Sequence, residues 1–80
     1  MRLSIECGDI VGALSRALDQ IRRMGIETSS VAATSHGPDA TIQLELHRLD
    51  ARSASTLRER VLHIPTVRNA TYLEDDRDPS

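Results

Sequence analysis

"RLSIECGDIVGALSRALDQIRRMG" (residues 2–25) changes its period halfway along. Up to Cys7 it alternates, with Leu3, Ile5 and Cys7 on one side and Arg2, Ser4 and Glu6 on the other, the pattern of a half-buried strand. From Asp9 onward, Ile10, Leu14, Ala17, Ile21 and Met24, joined by Val11 and Leu18, recur at helical spacing, while Arg16, Asp19, Arg22 and Arg23 take the wet side. Asp9 is a residue type that caps helix N-termini, Arg22 and Arg23 suit the negative end of the dipole, and Gly25 can close the helix in a left-handed conformation. One residue resists this pattern. Gly12 sits in the first helical turn, where glycine costs about 1 kcal/mol against alanine. A glycine kept at that cost leaves the backbone open to close approach.

Working outward, "IETSSVAAT" (26–34) is rich in β-branched and small residues and predicts a weaker edge strand, and "SHGPDA" (35–40) predicts a turn. "TIQLELH" (41–47) predicts a strand with Ile42, Leu44 and Leu46 inward and Thr41, Gln43, Glu45 and His47 outward. Residues 51–63 return to helical spacing through Ala54, Leu57, Val61 and Ile64, with Asp50 or Ser53 as the cap and Pro65 as the stop. "TVRNATYL" (66–73) predicts a last strand, and "EDDRDPS" (74–80) a charged, disordered tail. The order β-α-β-β-α-β predicts an α+β, ferredoxin-like domain over residues 1–73. Its four antiparallel strands take the order 4-1-3-2, with both helices on one face. Ser4, Glu6, Thr41, Gln43 and Glu45 fall on the other, polar face.

The composition narrows the function. With 80 residues and Tyr72 as the single aromatic, the core is thin and aliphatic, and a second copy would supply further burial. The strand at 26–34 carries no lysine or proline to blunt its edge, which predicts a homodimer or higher homo-oligomer. A net charge of −2, with cations and anions interspersed, argues against a nucleic-acid groove. Cys7 is the one cysteine, so an internal disulfide is excluded; it reads as a small buried hydrophobe in a protein of the reducing cytoplasm. No apolar run approaches the ~20 residues of a membrane span. His36, His47 and His63 lack ligand-like spacing, no nucleophile–base–acid set stands out, and neither a metal, a cofactor nor a catalytic residue is expected. The first loop holds no Cys-x-x-Cys pair, and the first and third strands hold no aromatics, which sets aside metal-chaperone and RNA-recognition domains of this fold.

The residues resemble a third user of the fold. "DIVGAL" (9–14) is similar to the Asp/Asn-x-x-Gly-x-Leu motif that ACT domains carry at the junction of their first strand and helix. "GALSR" (12–16) and "RRMGIETSSV" (22–31) resemble the small regulatory subunits of acetohydroxyacid synthase, and "LHIPTVRNATYL" (62–73) resembles the ACT ending. The resemblance covers nearly the whole chain. It implies a non-catalytic regulatory subunit of branched-chain amino-acid biosynthesis, partnered with a large thiamine-diphosphate-dependent catalytic subunit. It further implies a small amino-acid effector bound between subunits, with Asp9, Ile10, Val11, Gly12, Ala13 and Leu14 of one copy and Glu27 and Thr28 of the other around it. The effector's carboxylate would meet the unpaired amides that begin the first helix.

Two positions depart from the family. Val11 stands where proline is common, and Glu27-Thr28 where the synthase subunits carry asparagine and isoleucine. The residues alone leave other readings open: Asp9 as an N-cap only, Gly12 as a packing contact, and Arg22-Arg23 as a solvated helix end. A free-standing amino-acid sensor and a dimerisation module that has lost its ligand stand beside the synthase subunit.

Overall fold

The computed structural model describes residues 1–73; the tail expected at 74–80 lies outside the described residues. The elements are β1 (Arg2–Cys7), α1 (Ile10–Arg23), β2 (Glu27–His36), β3 (Asp39–His47), α2 (Ala51–Leu62) and β4 (Val67–Leu73). The sheet order is β2-β3-β1-β4, with every neighbour antiparallel. This is the predicted ferredoxin-like arrangement.

The alternation in β1 and β3 sets the layers. Leu3 pairs with Leu44 and Ile5 with Ile42, all fully buried beneath the helices, while Ser4 opposite Gln43 and Glu6 opposite Thr41 form the open polar face. Ala13, Ala17 and Ile21 of α1 and Ala54, Leu57 and Val61 of α2 close the core from above. Cys7 is fully buried and unpaired.

The C-terminus of α1 and the N-terminus of α2 are finished as their sequences suggest. At the end of α1, Gly25 takes φ +72, its N–H bonds the Arg22 carbonyl, and the Ile26 N–H bonds that of Ile21, the paired bonds of a Schellman motif. Asp50 caps α2 by accepting from the Ser53 amide at 2.8 Å, and this bond holds its carboxyl below the usual carboxylate range.

One boundary is corrected. The turn expected over 35–40 is only Gly37-Pro38, because β2 runs on through His36 and β3 begins at Asp39. Gly37 at φ +74 followed by the fixed φ of Pro38 suits a two-residue type II′ hairpin, which lets His36 and Asp39 pair directly. A bulge at Ser29 shifts the register between Thr28 and Ser30.

α2 is tied to β4 by two side chains. The Tyr72 hydroxyl donates to the Ala54 carbonyl at 2.8 Å, and Arg58 Nε donates to the Ala70 carbonyl at 2.7 Å. Burial pushes the Tyr72 phenol up to about 12. A phenol raised in the fold binds its proton more tightly there than in the unfolded chain. Its stabilising effect is therefore complete below about pH 10, the ordinary tyrosine value, and fades as pH rises toward 12. Tyr72→Phe should cost about 1 kcal/mol at neutral pH through the lost hydrogen bond. It should also flatten the alkaline limb of the stability curve, measured as urea midpoints from pH 8 to 11.

Candidate functional site

The junction between β1 and α1 is held from two sides. Gly8 donates its N–H to the Thr66 carbonyl at 3.0 Å, just before β4. Thr66 sits at φ +73, a strained conformation for a β-branched residue. Over Gly8 lies Arg68, with Nη2 3.4 Å from where a Cβ would stand, and the guanidinium reaches across to pair with Asp39 of β3.

The next residue, Asp9, occupies the N-cap position of α1 in extended conformation, and its carbonyl accepts from the Ala13 N–H at 3.0 Å. Its side chain makes no capping hydrogen bond. It folds instead over Gly12, and a Cβ at residue 12 would overlap the Asp9 carboxylate. What approaches Gly12 in this chain is thus the Asp9 side chain, with Arg16 Nη1 3.6 Å from the same point. The contrast with Asp50 is informative, because the same residue type at the same position does cap α2. Among the described residues the amides of Ile10, Val11 and Gly12 have no hydrogen-bond partner. They carry the positive end of the α1 dipole.

Around this mouth the six expected residues divide. Ala13 is buried and Ile10 and Leu14 are half-buried against the core, so these three anchor the helix. Asp9 and Val11 face solvent, Val11 with 77% of its surface exposed, and Gly12 is half-buried beneath the Asp9 side chain.

Glu27 and Thr28 begin β2, immediately after the Schellman turn. Glu27 lies opposite His47 in the register and reaches Arg48 Nε at 3.8 Å; Ser29 Oγ meets His47 Nε2 at 2.7 Å. Thr28 turns to the helix side opposite Leu46, and its hydroxyl is buried without a partner. These two residues stand at the C-terminal end of α1, and most of the 14-residue helix, about 21 Å long in all, lies between them and the Asp9–Gly12 end. One chain therefore does not bring the two halves of the expected site together. Arg16, Arg68 and Asp39 join the Asp9 end without standing out in the sequence, where Arg16 is only one more residue on the wet side of α1.

Among the described residues no three His, Cys, Asp or Glu side chains gather to hold a metal ion, and no helix is long and apolar enough to cross a membrane.

No protein-family model and no curated protein matches the sequence. Solved structures match the fold. The ACT domain from the GTP pyrophosphokinase of Chlorobium tepidum superposes with a TM-score of 0.76 at 14% identity, covering 90% of this chain and 94% of that one. The C-terminal domain of the MgtC protein from Mycobacterium tuberculosis gives 0.78 at 9% identity, covering 99% and 90%. At these identities the likeness establishes the fold alone, the four-stranded antiparallel βαββαβ arrangement that this chain shares with both domains.

Proposed function

We propose that this chain is a non-catalytic regulatory module that binds a small amino acid between two copies and passes its effect to a larger catalytic partner. The observation that carries the reading is the unfinished cap of α1. Three amides at a helix N-terminus are left without partners, while the carboxylate placed to bond them lies aside over Gly12. An amino-acid zwitterion complements both features: its carboxylate takes the amides, and its ammonium takes Asp9. Val11 offers an exposed apolar contact for an aliphatic side chain. A second copy would bring Glu27 and Thr28 to complete the enclosure, since its own α1 holds them far from its own Gly12.

The partner class follows from the resemblance of residues 12–16 and 22–31 to the small subunits of acetohydroxyacid synthase. In this reading the chain supports that enzyme's activity or relays feedback by branched-chain amino acids. The isolated chain should turn over neither pyruvate nor 2-ketobutyrate. Added to its cognate large subunit, it should change the rate or the sensitivity to valine. An unchanged enzyme would leave a free-standing sensor as the better reading.

A dimerisation module that has lost its ligand is favoured by one feature, the coverage of Gly12 by the chain's own Asp9. It differs in outcome: no amino acid would then produce binding heat.

A further inference from the structure

The three histidines play no part in the effector reading, and each has a different partner. His63 Nδ1 donates to the Glu59 carbonyl of its own helix at 2.8 Å, so its ring serves the end of α2. His36 Nε2 meets the Thr41 hydroxyl at 2.9 Å, a secondary alcohol on a half-buried residue. His47 Nε2 lies 2.7 Å from Ser29 Oγ, a primary alcohol, and both of these residues are exposed. Only this pair joins an accessible hydroxyl to an accessible base.

The β-bulge makes the pair. Counting on from Glu27 opposite His47, an unbroken ladder would set residue 29 directly across from Glu45. The register shift gives that place to Ser30 and leaves Ser29 without a rung of its own. The freed residue turns its hydroxyl to His47, 18 positions along the chain. Thr28 faces the helices opposite the buried Leu46, so His47, one position further along β3, lies on the polar face of the sheet. The two carboxylates that adjoin the pair in the register are engaged elsewhere. Glu27 reaches Arg48, whose backbone at φ +62 turns out of the strand, and Glu45 takes the Met1 ammonium and Arg2, each at 3.4 Å. The imidazole is left to the serine.

A serine hydroxyl is a weak nucleophile until a base takes its proton, and an imidazole at hydrogen-bond distance is the commonest such base. We infer that Ser29 is an acyl acceptor, activated by His47 to take an acyl group from an activated ester or thioester. In the tautomer with its proton on Nδ1, the ring accepts the Ser29 hydroxyl at Nε2. Oγ attacks the acyl carbonyl, and the Oγ–C bond forms as Nε2 takes the hydroxyl proton. The bond from the carbonyl carbon to the leaving oxygen or sulfur then breaks, and its electron pair departs with the leaving group. His47 returns the proton to that group or to water. The products are O-acyl Ser29 and the free alcohol or thiol, a covalent mark on the polar face rather than a turnover. The pair does not depend on the effector reading.

The test treats the full chain with p-nitrophenyl acetate and locates acetyl groups by peptide mass mapping. Ser29 should be acetylated at least about 100-fold faster than Ser30, the adjacent exposed serine, which is the low end of what a positioned base supplies. Ser29→Ala should remove this label. His47→Gln should lower it to the level of Ser30, because glutamine still offers Oγ a hydrogen-bond partner but takes no proton from it. Both positions are exposed, so the two variants should keep the wild-type circular dichroism spectrum and urea midpoint. Equal labelling of Ser29 and Ser30, acetyl confined to the Met1 amine or the His47 ring, or full labelling of Ser29 in His47→Gln overturns the inference. Each of these results leaves the regulatory reading standing, since amino-acid binding is measured separately by titration.

Discussion

Leu44→Ala should bring the domain close to unfolding at ambient temperature. Leu44 is fully buried in β3, one of the two central strands, flanked in register by Leu3 of β1 and Val31 of β2. Truncating a buried leucine removes its transfer energy and leaves a cavity, at a cost of about 3–5 kcal/mol. A chain of 80 residues has on the order of 4–12 kcal/mol of total stability, and no disulfide among the described residues offsets the loss. Val11→Ala, at an exposed position, should stay within about 0.5 kcal/mol of wild type. Urea midpoints at a fixed protein concentration separate the two, because the proposed dimerisation would add a concentration-dependent term. A Leu44→Ala loss below about 1 kcal/mol would mean that this layer is not the core.

The reason such a core can be read from the sequence is that β1 and β3 are each buried on one face only. A half-buried strand writes its period into the chain, as Leu3-Ser4-Ile5-Glu6 and Ile42-Gln43-Leu44-Glu45 do. β2 is exposed on both faces, and its sequence holds no alternation to find. Its last residues and the start of β3 consequently read as turn. Ser, His, Gly, Pro and Asp are turn formers by composition, but the tight Gly37-Pro38 geometry lets the ladder run up to the turn on both sides. The bulge at Ser29 leaves no mark in the sequence either.

The site divides along the same line. Gly12 is legible as an anomaly because its propensity conflicts with its place in a helix. The behaviour of Asp9 is not legible, since Asp9 and Asp50 are the same residue at the same helix position and only one of them caps. The difference lies in the backbone entry, ψ 102 at Asp9 against 174 at Asp50, which is set by how β1 and β3 lead into their helices. Glu27 and Thr28 enter the site by resemblance alone. Their separation from Asp9 by the length of α1 becomes visible only with the topology in hand.

Gly12→Ala should abolish amino-acid binding while leaving the fold intact. The added Cβ would overlap the Asp9 carboxylate, which is the far end of a flexible, exposed side chain and can swing away. Stability should change little or rise, since alanine is the better helix former by up to about 1 kcal/mol. The displaced carboxylate loses the position from which it would meet an ammonium, and the methyl group stands beside the free amides. Binding and stability should therefore separate, with an unchanged melting temperature and no effector response. A mutant that melts early would identify Gly12 as a packing residue instead.

The measurement that bears most directly on the account is calorimetric titration of valine, leucine and isoleucine into the wild-type chain, with sedimentation run on the same samples. The account predicts saturable heat with at least one of the three, at no more than one effector per subunit, on a dimer, and its disappearance in Gly12→Ala. A wild-type dimer that gives no heat with any of them would contradict it and leave a dimerisation module without a ligand.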